Sequence, residues 1–409
     1  CAGVPVLMVA AAQQARRIEA GSSRLPRVDY WLMLSALSLA LLGLVMVSSA
    51  SITFADREIG RPFYYAIRQS LYIGFGVFVG VLVFKLRLAD LERMGMTLLL
   101  LAFALLLLVL VPGVGVEVNG ASRWINAGLF RLQVSEPAKL FFIIYLAGYL
   151  AKYGDEVRSQ ISGFLKPLGL LAIAAVLLLA EPDFGATVVL AAIVMGMIFM
   201  AGVKLYQFGG MLGLGAVLMA GMAVSSPYRM TRLKTFMDPW ADPFDTGFQL
   251  TQSLIAIGRG EWFGVGLGAS IQKLFYLPEA HTDFVFAVLA EELGLLGVCT
   301  IIVLYTILVW RAFSIAVQAA KANNLFASYL AYGLGIWFGL QSFINIGVNM
   351  GLLPTKGLTL PLMSYGGSSM VVMCMAVALL LRIDYETRCT AAGMSASGIA
   401  AATLRRSST

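Results

Sequence analysis

Apolar runs about one membrane thickness long, separated by short polar breaks, dominate the chain from residue 30 to residue 382. They fall at roughly 30–52, 64–84, 96–113, 137–151, 165–180, 184–203, 205–224, 284–310, 325–352 and 368–382. A helical crossing needs about 20 mostly apolar residues, so each run reads as a membrane-spanning helix. The pattern predicts an all-α polytopic membrane protein with ten transmembrane helices. The stretch Leu140 to Ala151 is only twelve residues long, which puts Glu136 and Lys139 at or inside the membrane boundary. One break is long: residues 225–283, where Leu250, Leu254 and Ile257 recur at helical spacing between Trp240 and Trp262. This large extracytoplasmic loop is expected to carry short amphipathic helices on the outer membrane face. Residues 1–28 read as a basic N-terminal arm, 29–388 as the membrane domain and 389–409 as a tail, with Cys1 standing where an initiating Met is expected.

Composition supports the membrane reading. Of 409 residues 59% are hydrophobic and 12% charged, half the charged fraction of an ordinary soluble domain, and the mean hydropathy is +0.85. A soluble enzyme, a disordered protein and a disulfide-stapled secreted module are excluded. The net charge of +7 lies between the apolar runs, where it sets topology, rather than in a nucleic-acid-binding stripe. Ten spans with the N-terminus inside leave 17 Lys and Arg residues on the inner side and 10 outside, five of those ten in the long loop. Long loops count little in this rule, so both termini are expected in the cytoplasm. Cys1, Cys299, Cys374 and Cys389 have no ligand-like spacing, and His281 is the sole histidine. A multi-histidine metal site is thereby excluded.

Charged residues in or beside the spans are costly unless paired or wetted, and so are candidates for function. They are Arg68, Arg123, Lys139, Glu181, Asp183, Asp283, Glu291, Glu292 and Lys356. Most map to outer loops or outer span ends, which predicts an outward-facing polar cavity mixing carboxylates with cations. Asp283 stands where the long loop enters the eighth span. There it is either a helix cap or a general base acting on a sugar hydroxyl. Glu291 lies two turns deeper and is expected to pair within the bundle. His281 lacks a nucleophile partner for a Ser-His-Asp set and reads as a loop histidine with a positioning hydrogen bond. Lys356 is either a snorkelling lysine or a phosphate clamp. Arg123, beside Trp124, is either an interfacial anchor or a phosphate donor. The glycine-rich stretch Gly258 to Gly268 lacks the strand and the Gly-Lys-Ser/Thr of a phosphate loop and reads as a turn-rich re-entrant surface. Ser364-Tyr365-Gly366-Gly367-Ser368-Ser369 is a hydroxyl-rich break able to line a cavity.

At these residues the chain resembles the SEDS family of bacterial membrane proteins. The resemblance is carried by Asn119-Gly120-Ala121-Ser122-Arg123-Trp124-Ile125, Gly163-Phe164-Leu165-Lys166-Pro167, Pro182-Asp183-Phe184-Gly185, Gly247-Phe248-Gln249-Leu250-Thr251-Gln252-Ser253, Pro278-Glu279-Ala280-His281-Thr282-Asp283-Phe284, Gly351 to Pro361, and Ser364 to Ser369. These stretches cover roughly residues 30 to 388 in the family order. Ala280 and Pro354-Thr355-Lys356-Gly357 favour the division-type branch over the elongation-type branch. Glu181 departs from the Gln that relatives often carry there.

The resemblance implies a ten-span peptidoglycan glycosyltransferase that polymerises lipid II at the division septum of the bacterial inner membrane. Asp283 aligns with the family's essential aspartate. It would deprotonate the acceptor GlcNAc 4-hydroxyl, with undecaprenyl pyrophosphate as leaving group. Lys139, Lys356, Arg123, Asp183 and Ser364 are the candidate substrate and pyrophosphate ligands. A divalent cation, magnesium or manganese, is compatible with this chemistry, but no residue cluster demands one. The implied partners are the growing glycan chain, membrane lipids, a class B penicillin-binding transpeptidase of the FtsI type and septal activator proteins; nucleic acid is not among them. The competing readings are a lipid II flippase, a non-enzymatic scaffold and an elongation-type polymerase.

Overall fold

The computed structural model describes residues 28–118, 121–126, 128, 131–224, 230–231, 235–245, 247–274, 276–354 and 357–393. The arm up to residue 27, the tail from residue 394 and Lys356 lie outside the described residues. Twelve helices are described: α1 (Tyr30–Ile59), α2 (Tyr64–Lys85), α3 (Leu88–Arg93), α4 (Gly95–Val109), α5 (Ser135–Ser159), α6 (Ile161–Ala180), α7 (Phe184–Met200), α8 (Leu205–Val224), α9 (Phe248–Gly260), α10 (Val285–Lys321), α11 (Leu325–Asn349) and α12 (Gly367–Ala391).

Five of these, α1, α2, α6, α10 and α12, are long and apolar enough to cross a membrane. α4, α7 and the first part of α8 are apolar but shorter. α5 and α11 are 25 residues each and turn polar side chains inward: Glu136 and Lys139 on α5, Gln341, Ser342, Asn345 and Asn349 on α11, all buried. Those residues lower the hydropathy of the two helices without exposing charge. This is why the apolar run from Leu140 looks too short while the helix itself begins at Ser135.

The all-helical expectation fails in one place. Residues 115–133 fold into a three-stranded antiparallel sheet, β1 (Gly115–Val118), β2 (Ala121–Asn126) and β3 (Arg131–Gln133). The register pairs Trp124 with Gln133 and Val116 with Trp124. Short Val- and Ile-bearing strands suit a sheet lying against the helix ends, and the Gln133 amide donates to Ser368 Oγ at 3.1 Å.

Lipid tails are as apolar as leucine, so helices in a membrane are held by close packing and polar links. Tyr149 donates to the Gly163 carbonyl at 2.6 Å and Ser253 to that of Asn349 at 2.8 Å. At one end of the bundle Asp29 caps α1, accepting from the Leu32 amide at 3.1 Å, and also accepts from Arg311 Nε at 2.8 Å. Leu34, Leu37 and Leu41 on α1 and Leu71 and Phe78 on α2 point outward, as a lipid-facing surface requires.

α10 is broken at Gly294, whose φ of 63° and ψ of −160° leave the helical region. The segment after α9 fills the break: the Val265 amide donates to the Glu291 carbonyl at 3.0 Å, and the Leu295 amide donates to the Glu261 carbonyl at 2.9 Å. A Cβ on Gly294 would lie 2.4 Å from the Gly264 nitrogen, so only glycine fits this left-handed, crowded position. The glycine-rich stretch is therefore a backbone plug in a helix break. α9 buries Leu250 and Ala256 and docks on α10 and α11, a protein face in place of the free membrane-surface position expected of it.

Candidate active site

Asp283 ends the turn that leads into α10, and its backbone is held from α11. Its carbonyl accepts from Asn345 Nδ2 at 3.0 Å and from Asn349 Nδ2 at 3.1 Å. Asn349 Oδ1 accepts the Ala287 amide at 3.2 Å, so a first-turn amide of α10 is satisfied by a side chain of α11. The N-cap residue is Phe284, without a side-chain cap bond, and Thr282 Oγ1 turns back to Glu279 Oε2 at 2.7 Å. The carboxylate of Asp283 is half-buried and faces Gly357, where a Cβ would lie 3.2 Å from its Oδ2.

The segment 357–366 runs across the site and is stitched to α11 at two consecutive residues, Leu358 and Thr359. Asn345 Nδ2 donates to the Leu358 carbonyl at 2.5 Å, and Gln341 Nε2 to that of Thr359 at 3.0 Å. Thr359 Oγ1 and Ser369 Oγ share a hydrogen bond of 3.1 Å. Ser364 Oγ accepts the Leu360 amide at 2.8 Å, while its carbonyl accepts from Gln69 at 3.3 Å. Ser364 thus staples the turn to itself and to α2.

Lys139 is 1% exposed. Its ammonium pairs with Glu136 Oε1 at 2.8 Å and donates to Gln341 Oε1 at 2.9 Å, with the Trp337 ring 5.1 Å away. Trp337 Nε1 donates to the same Gln341 oxygen at 2.7 Å. The lysine has the anion its position demanded, supplied by its own helix. It fixes Gln341, and through Gln341 the Thr359 carbonyl, instead of opening onto a cavity.

Arg123 on β2 reaches the α6–α7 turn, donating to the carbonyls of Glu181 and Pro182. Asp183 caps α7 by accepting the Ala186 amide at 3.1 Å and is buried. Its neighbour Glu181 is buried as well, with its carboxyl pushed up to about 8 by burial and by Asp183, and Arg123 opposing. A Cβ on Gly185 would meet the Leu358 side chain at 3.1 Å, which ties this turn to the segment beside Asp283.

The residues expected to line the site thus gather at one end of the bundle around residues 357–369, but Lys139, Asp183 and Ser364 are engaged in internal hydrogen bonds. Asn345, Asn349 and Gln341 were missed. Their signal was a polar residue every fourth position, 341, 345 and 349, on an otherwise apolar helix. Glu291 does pair inside the protein, accepting from Ser270, from the Ile271 amide at 3.1 Å and from Arg259 at 3.4 Å. Glu292 accepts from Lys273 at 2.9 Å and Ser49 at 2.7 Å. Among the described residues His281 is surrounded by rings, Tyr65 at 4.6 Å, Tyr365 at 5.7 Å and Phe54 at 5.8 Å, and shows no side-chain hydrogen bond. Burial lowers its basicity, and its carbonyl accepts the Tyr365 amide at 3.0 Å.

Residues 30–389 match the model of the FtsW/RodA/SpoVE cell cycle protein family. The chain is 61% identical over 361 residues to a probable peptidoglycan glycosyltransferase FtsW of Thioalkalivibrio sulfidiphilus, covering 88% of this chain and 90% of that one. Among solved structures it is similar to a chain of a peptidoglycan synthase complex, studied for the coordination of polymerization and crosslinking. That match has a TM-score of 0.73 and 29% identity, covering 88% of this chain and 98% of the other. It is also similar to the rod shape determining protein RodA of Thermus thermophilus, with a TM-score of 0.64 and 27% identity over 87% of this chain and 96% of that one. With the match running nearly end to end over the helices that hold Asp283, this chain belongs to the FtsW/RodA/SpoVE family of cell cycle proteins.

Proposed function

We propose that Asp283 is the general base of this peptidoglycan glycosyltransferase. The chain polymerises lipid II into glycan strands, a reading supported by high-identity relatives named probable peptidoglycan glycosyltransferase FtsW. The observation that carries the role of Asp283 is its tethering. Two asparagines hold its carbonyl, and Asn349 also accepts the Ala287 amide, so α11 fixes the turn from which the half-buried Asp283 side chain projects. It takes the proton from the acceptor GlcNAc 4-hydroxyl. The oxygen then forms a bond to the anomeric carbon of the donor chain from the face opposite the bond that breaks, and the polyprenyl diphosphate departs with that electron pair. The leaving group is a weak base, so one carboxylate suffices and no general acid is required. Gln341, Asn345 and Lys139 keep the segment 357–361 in register against the base. Among the described residues no group of three or more His, Cys, Asp or Glu side chains is placed to hold a metal ion, and none of these steps is assigned to one.

In this reading α1, α2, α4, α5, α6, α7, α8, α10, α11 and α12 are the ten crossings. Both termini are cytoplasmic, and the 225–283 loop and Asp283 face outward, where the sugars of a flipped precursor are presented. The asymmetry of Lys and Arg supports that orientation. Kinship with a member of a peptidoglycan synthase complex supports a class B penicillin-binding transpeptidase as partner, with septal activators, at the division site. The test is gel-resolved polymerisation of lipid II by the purified protein, with and without the transpeptidase, for wild type and Asp283→Asn. Wild type lengthens chains and Asp283→Asn does not. Equal polymerisation by both removes Asp283 from the mechanism, and lipid translocation without chain growth would make the protein a flippase.

A further inference from the structure

Arg68 stands near the outer start of α2, close to the 361–366 turn. It lies four residues into α2, about 6 Å from the helix start at 1.5 Å per residue, and is exposed. Its neighbours Ile67 and Leu71 are 60% and 66% exposed on the lipid-facing side of that helix. An arginine in such a belt is costly unless an anion or the headgroup layer meets it. Among the described residues no carboxylate lies within ion-pair distance of it. Instead its guanidinium sits 4.7 Å over the Tyr64 ring, with Tyr365 and Tyr72 alongside. The adjacent Gln69 is fully buried and donates to the Ser364 carbonyl. The helix therefore points one side chain into the 361–366 turn and leaves Arg68 at its rim. Tyr365 in turn donates its amide to the carbonyl of His281, two residues before Asp283. A planar guanidinium stacked on a ring, with donors to spare, at the lipid edge and beside the residue whose amide bonds the His281 carbonyl, matches a lipid-borne phosphate.

Resting on the glycosyltransferase reading above, we propose that Arg68 binds the diphosphate of the polyprenyl-linked substrate where it enters the site from the membrane, with the Tyr64 ring orienting the guanidinium plane. A bulk phospholipid headgroup would present similar chemistry, and the two sources separate experimentally. Purified protein in detergent is incubated with undecaprenyl diphosphate or with phosphatidylglycerol, and retained lipid is read by native mass spectrometry. Wild type, Arg68→Lys and Arg68→Gln are compared, with thermal melting as a check on folding. Arg68→Gln is expected to hold undecaprenyl diphosphate about tenfold more weakly, the loss of one charge-assisted contact. Arg68→Lys is expected to fall between, because lysine keeps the charge but not the fork. Phosphatidylglycerol retention should not change. Undiminished diphosphate binding by a folded Arg68→Gln overturns the proposal, as does loss of phosphatidylglycerol alone, which would make Arg68 a membrane anchor. Asp283→Asn should bind undecaprenyl diphosphate like wild type, so a failure of the catalytic assignment leaves this binding result standing, and the reverse holds too.

Discussion

Asn349 joins α11 to the catalytic turn with both ends of its amide: Nδ2 donates to the Asp283 carbonyl at 3.1 Å and Oδ1 accepts the Ala287 amide at 3.2 Å. Asn345 supplies a second donor to the same carbonyl at 3.0 Å, and the Ala287 amide also donates to the Phe284 carbonyl at 3.0 Å. Replacing Asn349 with Ala should therefore cost only about 1 kcal/mol in stability, the net worth of hydrogen bonds whose partners keep other contacts. Polymerisation should fall further than that cost explains, because the carboxylate loses its fixed bearing. Melting in detergent and polymerisation rates of Asn349→Ala and Asn345→Ala decide the point. Full activity in Asn349→Ala would show that the tether does not position the base.

The buried pair Lys139–Glu136 allows an internal brace to be told from a substrate ligand. Breaking a buried ion pair from one side strands a charge and typically costs about 3–5 kcal/mol. Lys139→Met alone and Glu136→Gln alone should thus each lower expression and melting temperature sharply. The double variant Lys139→Met with Glu136→Met should recover much of the stability, since a well-packed apolar pair replaces the ions. If the lysine acts only through Gln341, activity recovers in part as well. A double variant as stable as wild type but with a raised KM for lipid II would instead return Lys139 to the substrate.

How far the sequence discloses this site depends on what each residue touches. Asp283 stood out as a candidate because its flanking octamer matches the family motif, whereas its place at a span boundary alone left it equally readable as a helix cap. Lys139 and Asp183 were legible as costly charges, but not in their duties, which depend on partners brought together by folding. Glu136, three residues from Lys139, was placed beside it at the membrane boundary, but their pairing became visible only in the folded chain. The polar stripe Gln341, Asn345 and Asn349 was visible at helical spacing, yet amides carry no charge and so escaped a search for ions. The small sheet had its own sign: Asn119-Gly120 between Val116-bearing and Trp124-bearing stretches is a strong hairpin signal, overshadowed by the helical pattern on either side. The docking of α9 could not be read from its amphipathic spacing, because a protein face and a membrane face select the same apolar stripe.

The break in α10 predicts a steep penalty at two glycines. An alanine at 294 would place its Cβ 2.4 Å from the Gly264 nitrogen with φ at +63°, and an alanine at 264 would place its Cβ 2.1 Å from the Glu292 carbonyl oxygen with φ at +79°. Both are closer than any real contact, and both are left-handed positions that cost an L-residue about 1–2 kcal/mol before any clash. Gly294→Ala and Gly264→Ala should therefore detach the 260–266 plug. The prediction is met if protease cleavage or deuterium exchange rises within 258–274 while the end of α10 near Arg311 stays protected. Unchanged protection of the plug in a folded variant would count against it.

Glu181 carries a pH signature with a definite sign. Its carboxyl is raised from 4.5 to about 8 by burial first and Asp183 second, with Arg123 pulling the other way. A raised carboxyl is protonated in the folded protein while the unfolded chain has already ionised, so the native state binds more protons between these two values. Stability is then fully present below about pH 4.5 and declines as pH climbs through about 8. Glutamine mimics the protonated acid and cannot ionise. Glu181→Gln should accordingly melt close to wild type near pH 5 and above it near pH 8.5, the gap opening across that window. Melting curves of the two proteins in one detergent at matched ionic strength test this. A gap that is constant with pH, or that opens toward acid, would mean that Glu181 is ionised in the folded state and that Arg123 wins over burial.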